Sequence, residues 1–280
     1  MTFGTTIVKV AMVSVLATVI ATGASAQSTR QGLAKESALE TIKKRGVINI
    51  GLSTFIPWAM RNKKGELIGF EIDVAKKLAA DMGVKTKFVP TSWDGIIPAL
   101  LAGKFDIIIS GMSITSKRNL TVNFTHPYAN TGYVVLANTK LAKEKGVTKL
   151  SDLNSRNITI ASRRGSTGAE AMKRHFPKAK KIYFDDDTLS VQELANGKID
   201  AASSTPPKAA FEIERRGDGI FLMSPDQLSP TREAFALRKG DPDALNFFNN
   251  WIQEADARGW LAERRAYWFT GRSWASEVAQ

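Results

Sequence analysis

From Val47 onward the chain alternates short apolar runs with stretches of helical periodicity, and this alternation restricts its fold more than any other feature. VINIGLS (Val47–Ser53), KTKFVP and FDIIISG read as strands. FEIDVAKKLAADMG, ending at Gly83, and WDGIIPALLAG, ending at Gly103, read as the helices between them. Short strands separated by helices pair in parallel and pack as an α/β layer structure. A further strand is predicted at YVVLANT (Tyr133–Thr139), followed by a basic polar stretch.

The alternation then restarts, which predicts a second lobe. NITIAS, KIYF, IDAASS and GIFLMS read as strands, and GAEAMKRHF, LSVQELANG and PPKAAFEIERRG as helices. After one more strand in REAFALRKG come two helical segments carrying Phe247, Phe248, Trp251, Trp260, Tyr267 and Trp268 at helix-like spacing, a stripe expected to pack as core. Gln27–Ser37 is polar and reads as a mobile end.

The first residues have another character. Lys9, an apolar run from Val8 to Ala21 and the small residues Ala24–Ala26 have the layout of a secretory signal peptide cleaved after Ala26. A membrane anchor needs about 18 apolar residues; this run is shorter and is broken by Ser14 and Thr18. The expected location is therefore the periplasm. The absence of cysteine fits it and excludes lipoprotein attachment, a disulfide framework and thiol chemistry. A net charge of +12 raises the question of nucleic acid, but the basic residues are scattered in pairs among acids and export removes DNA as a partner. The charge reads as a solvated surface, with steering of an anionic ligand as the alternative.

In open α/β sheets, ligands bind outside the carboxyl ends of strands. The loops there are STFIPW, PTSWDG, SGMSITSKR, SRRGSTG and SSTPP, rich in hydroxyls, glycines and rings. In SGMSITSKR, Gly111 lets a ligand approach the backbone, Ser113 offers N–H and hydroxyl, and Arg118 a planar fork for a carboxylate. The alternative is that Ser113 and Thr115 cap the next turn while Arg118 forms a surface pair. In SRRGSTG, Gly165, Ser166 and Thr167 enter a helix whose N-terminus favours an anion; ordinary capping explains the same residues.

GFEIDVAKKLAADM (Gly69–Met82) resembles the signature of the family 3 extracellular solute-binding proteins, the polar amino-acid receptors of ABC importers. The resemblance continues through WDGIIPALLAGKFDIIISGMSITSKR, FTHPYANTGYVV, GSTG, GKIDAA and FFNNWIQEADARGW. It implies a two-lobed periplasmic-binding-protein fold of type II with two crossing hinge strands. Lobe 1 would comprise residues 47–135 plus 228–280 and lobe 2 residues 136–227, after a signal peptide at 1–26 and an N-terminal segment at 27–46. It further implies a monomer that closes on a small carboxylate ligand and delivers it to an ABC permease, with no cofactor and no metal. Arg118 would hold the ligand carboxylate with help from Gly111, Ser113 and Thr167, and the rings of Phe55 and Trp93 would flank it; Trp58 would only pack.

The chain departs from that pattern twice. Amino-acid binders of the family usually carry an Asp a few residues after the DA of lobe 2, to receive the α-ammonium; here Thr205 stands there, and a hydroxyl does not neutralise a buried cation. Asp200, the nearest acid, falls on the strand in a structural role. Members that take basic amino acids often carry an acid before the first aromatic, where this chain has Leu52, whereas Arg163 and Arg164 stand beside the lobe 2 anion turn. The expected ligand is thus an acidic or neutral amino acid or a related carboxylate. The alternatives are a cyclohexadienyl (prephenate/arogenate) dehydratase-like enzyme, for which Glu170 and His126 are the candidate acids, and a ligand-sensing receptor.

Overall fold

The computed structural model describes residues 37–279 and Met1; the expected signal peptide and residues 27–36 otherwise lie outside the described residues. Helix α1 (Ala38–Arg45) opens the chain, with Ser37 as its N-cap and Ile42 fully buried. Asp241 accepts hydrogen bonds from the Ser37 hydroxyl (3.1 Å) and the Ala38 N–H (2.7 Å), so Ser37, the last residue of the expected mobile end, is tied to the C-terminal part of the chain.

Strand β1 (Val47–Leu52) is followed by the small hairpin of β2 (Met60–Arg61) and β3 (Leu67–Ile68), helix α2 (Phe70–Asp81), β4 (Lys85–Pro90), α3 (Ile96–Leu101) and β5 (Ile107–Ile108). β1 pairs in parallel with β4 and β5, as alternation requires. The FDIIISG run yields only two strand residues, because the chain leaves the sheet at Ser110, whose hydroxyl accepts the Ser53 N–H at 2.7 Å.

After the single turn α4 (Ser116–Asn119), β6 (Asn123–Asn138) runs for 16 residues. YVVLANT is only its second half. Pro127 and Gly132 hide this continuity in the sequence; register shifts opposite Glu233/Ala234 and Ala234/Ala236, where β6 carries the extra residues, accommodate Pro127, which has no N–H to donate. The second alternation gives α5 (Thr139–Glu144), β7 (Thr159–Arg163), α6 (Thr167–His175), β8 (Lys180–Phe184), α7 (Asp187–Ala195), β9 (Ala201–Ser204), α8 (Pro206–Arg216) and β10 (Ile220–Leu222). β11 (Ser229–Leu237), α9 (Pro242–Ala257) and α10 (Trp260–Arg265) complete the chain, with a wide turn at Ala266–Thr270.

The strand order β4-β1-β5-β11-β6-β9-β7-β8 shows how the two halves join. β6 pairs antiparallel with β11 from Asn123 to Tyr133 and with β9 from Val134 onward. These two long strands cross between two packed bodies, and Phe211 of α8 in the second packs into the core of the first against Trp274. One core gathers Ile48, Phe70, Phe235, Phe248 and Trp251; the other gathers Val135, Ile160, Met172 and Ala201. Of the C-terminal aromatic stripe, Phe248, Trp251 and Trp268 are buried, whereas Tyr267 is exposed. No helix among the described residues is long and apolar enough to cross a membrane.

Candidate functional site

The carboxyl end of β1 leads into a loop in which Phe55 and Ala59 exchange backbone hydrogen bonds of 2.7 and 3.0 Å. The loop stacks the Phe55 ring on fully buried Trp58, with centroids 5.6 Å apart. Gly111, with φ +54°, seats this pair: a Cβ there would come within 2.6 Å of Phe55 Cζ. The Gly111 N–H is already engaged, donating to Glu71 Oε1 and at 3.2 Å to the Tyr128 hydroxyl, so Gly111 meets a ligand only through its carbonyl and its open α-carbon. Tyr128 also donates to Glu71, and burial pushes the Glu71 carboxyl up to about 8.

Arg118 lies in α4, where the Thr115 hydroxyl accepts its N–H at 3.1 Å, the capping role foreseen for that threonine. Its guanidinium does not form the surface pair. It donates to the Ser113 carbonyl (2.9 Å) and across to the Gly165 carbonyl (3.1 Å), 5.3 Å from the centre of the Trp93 ring. Burial lowers its pKa, which leaves it charged at any working pH. The hydroxyls of Ser113 and Thr167 meet at 3.2 Å, and Thr167 reaches the Tyr133 hydroxyl at 3.3 Å. Ser166 caps α6, accepting the Ala169 N–H at 3.0 Å.

Of the paired arginines, only Arg163 turns inward. Arg164 is exposed and pairs with Asp185 at 2.7 Å. Arg163 is 7% exposed, donates to the Ser53 hydroxyl, and holds its guanidinium carbon 4.8 Å from the Trp93 ring centre and 5.6 Å from that of Phe55. Its Nε has no hydrogen-bond partner. The Thr205 Oγ1 is likewise buried and unpartnered, although Thr205 stands at the N-cap of α8.

The expected site residues divide between two adjoining cavities. Phe55, Trp93, Gly111, Arg163, Asp187 and Thr205 line a small inner cavity of about 30 Å³. Arg118 and Thr167 line a cleft of about 1130 Å³ beside it, together with Lys117, Glu170, Arg174 and Arg232. Ser166 borders both. Ser113 lines neither and stands in the seam between them. Asp200 accepts the Thr159 N–H (2.8 Å) and pairs with Lys145 (2.7 Å), a structural role as foreseen.

Sequence reasoning missed Tyr133, Asp187 and the buried Lys208 that pairs with Asp187. DDDT at 185–188 reads as a helix start, and Asp186 does cap α7; nothing in that run marks Asp187 as a cavity residue. Of the two candidate acids for an enzyme, Glu170 is exposed and tied to Lys173 at 3.0 Å, and the His126 ring is within 3.0 Å of Gln253. Among the described residues no group of three potential ligands is placed to hold a metal.

Two α/β bodies joined by crossing strands, with rings, hydroxyls and guanidinium groups gathered at the carboxyl ends of the strands between them, define a two-lobed solute-binding protein. The profile of the bacterial extracellular solute-binding proteins, family 3, matches residues 48–271, and the chain belongs to that family. It is 28% identical to the L-cystine-binding protein TcyJ of Escherichia coli (strain K12) over 92% of this chain and 94% of that one. It is 26% identical to the cyclohexadienyl dehydratase of Pseudomonas aeruginosa, over 85% and 88% of the two chains. Among solved structures, the ancestral amino-acid-binding protein AncCDT-1, a precursor of cyclohexadienyl dehydratase, superposes with a TM-score of 0.77 at 38% identity, covering 83% of this chain and all of that one. A putative ABC-transporter binding component from Wolinella succinogenes, complexed with lysine, gives 0.76 at 39% identity, covering 82% and 99%.

Proposed function

We propose that this protein binds an acidic or neutral amino acid, or a related carboxylate, between lobes formed by residues 47–135 plus 228–280 and by 136–227, and delivers it in the periplasm to an ABC permease. Arg118 receives the α-carboxylate, assisted by the hydroxyls of Ser113 and Thr167, and Phe55 and Trp93 flank the ligand. Binding stabilises the closed form by the ligand's differential affinity for closed over open. Catalysis is not part of this reading, because the acids foreseen for it are committed to Lys173 and Gln253 contacts rather than to the inner cavity.

The observation that carries the choice of ligand is Arg163. Its guanidinium already lies against both rings, where a cationic ligand side chain would have to stack, and it places a buried positive charge in the cavity. A second cation there would be repelled at short range in a weakly screened site. This separates the chain from relatives whose names or complexes specify arginine, histidine or lysine. The test is a thermal-shift screen of protein unfolded and refolded to strip carried solute. Glutamate, aspartate, glutamine and cystine are expected to raise the melting temperature by mass action, with arginine and lysine inert. Tight arginine or lysine binding with no response to the others would overturn the reading.

A further inference from the structure

Helix α8 turns two faces to two bodies. Ala209 and Ile213, four residues apart, pack it into the second body beside Val134, Leu136 and Ile220. Phe211, two residues on from Ala209, points the other way, and its burial comes from the tail that follows the wide turn. Its ring stacks on that of Trp274, with centroids 5.4 Å apart and planes 25° from parallel. Three residues further along α8, the Glu214 carboxylate pairs with Arg272 at 3.5 Å, and the Arg272 guanidinium stands 6.0 Å from the Trp274 ring centre.

The tail itself belongs to the first body. Trp274 is buried 5.6 Å from Trp268, and beyond it the chain is tied to the β2–β3 hairpin: the Lys63 N–H donates to the Glu277 carbonyl (2.8 Å) and the Ala279 N–H to the Arg61 carbonyl (3.1 Å). The contact with α8 therefore links two bodies that β6 and β11 already link, but at a separate place. A cavity of about 310 Å³ beside the stacked rings is lined by Lys63, Ala275, Ser276 and Val278 on one side and by Phe211 and Arg215 on the other, and no residue of β6 or β11 borders it. Space of that size leaves the seam less tightly packed than a core, so its two sides part there more readily than either body comes apart.

A contact that crosses between lobes away from the strands they turn on changes when the lobes move. Here it is made together with the contacts across the cleft, from Arg118 to the Gly165 carbonyl (3.1 Å) and between the Ser113 and Thr167 hydroxyls (3.2 Å). Resting on the reading that solute is held between closing lobes, we infer that the tail from Gly271 to Ala279 is a clasp, in which Trp274 and Arg272 grip Phe211 and Glu214 of α8 and hold a fraction of the protein closed before solute binds. Apparent affinity scales with the fraction of protein already in the binding-competent arrangement. None of the four residues lines either cavity of the cleft, so the clasp strengthens binding of every solute alike and leaves the choice among them unchanged.

The chain has no cysteine, so Lys104→Cys and Lys178→Cys, exposed on the first and the second body, accept a pair of spin labels whose separation reads the arrangement of the lobes. The purified, refolded protein without solute is expected to show a population at the separation this structure gives, and Phe211→Ala to shrink that population at least threefold. Absence of that population, or a population that Phe211→Ala leaves unchanged, overturns the inference. Glu214→Arg, at an exposed position that empties no core, is expected to shift the labels the same way by at least twofold, and Arg272→Glu in the same chain to restore them; no shift, or no restoration, also overturns it. Calorimetric titration with L-glutamate, L-glutamine and L-cystine is expected to show every affinity that the wild type has falling in Phe211→Ala by one common factor of at least three, and unequal falls or tighter binding overturn the clasp. If the wild type binds none of them, the proposed function falls and the label separations alone decide the inference.

Discussion

Replacing Glu71 with glutamine should change how the protein's stability depends on pH. Glu71 is 1% exposed, accepts from the Gly111 N–H and the Tyr128 hydroxyl, and has its carboxyl raised from 4.5 to about 8 by burial. Between those values the folded state holds a proton that the unfolded state has released, so stability is complete below pH 4.5 and is lost as pH rises towards 8. The slope is about 1.4 kcal/mol per pH unit, or roughly 2 to 3 kcal/mol between pH 6 and pH 8. Glutamine keeps an oxygen for Gly111 and Tyr128 but does not titrate. Urea unfolding of both proteins at pH 6, 7 and 8 and constant ionic strength should show the variant gaining on the wild type by that amount as pH rises. Glu233, also raised, titrates in both proteins and largely cancels in the difference. Parallel stability curves would refute the reasoning, because they would mean that Glu71 is ionised in the folded protein or that its pKa is not shifted by folding.

Two further changes probe the site directly. Gly111→Ala places a Cβ 2.6 Å from Phe55 Cζ at φ +54°, so it should cost about 1–3 kcal/mol in thermal or urea unfolding and weaken ligand binding as the ring moves. Arg118→Lys loses the fork that spans the Ser113 and Gly165 carbonyls; titration should show ligand affinity falling about 100-fold, roughly 2–3 kcal/mol, with little change in ligand-free stability.

Much of the architecture was legible because local patterns carry it. Alternating apolar runs and helix-ending glycines mark β1, α2, β4, β7, α6 and β9, since each short element must bury one face whatever surrounds it. Helix α1 was not read from the sequence: Ser37 followed by Glu40, with Gly46 at the end, is a capping signature, but the polar composition upstream obscured it. The length of β6 was not legible, because Pro127 and Gly132 read as breakers until pairing with β11, distant in the chain, holds β6 in the sheet with its extra residues bulged on either side of Pro127.

The site divides in the same way. The sequence by itself determined the glycine at 111, the arginine at 118, the hydroxyls at 113 and 167 and the missing acid at 205, because these depend on which atoms a residue has. Only the tertiary structure decided which of two adjacent arginines turns inward, that Gly111 has already given its N–H to Glu71, and that Lys208 and Asp187 meet across two helices. Those facts depend on burial and on approach between residues distant in the chain. No local pattern records them, and they set the charge of the cavity.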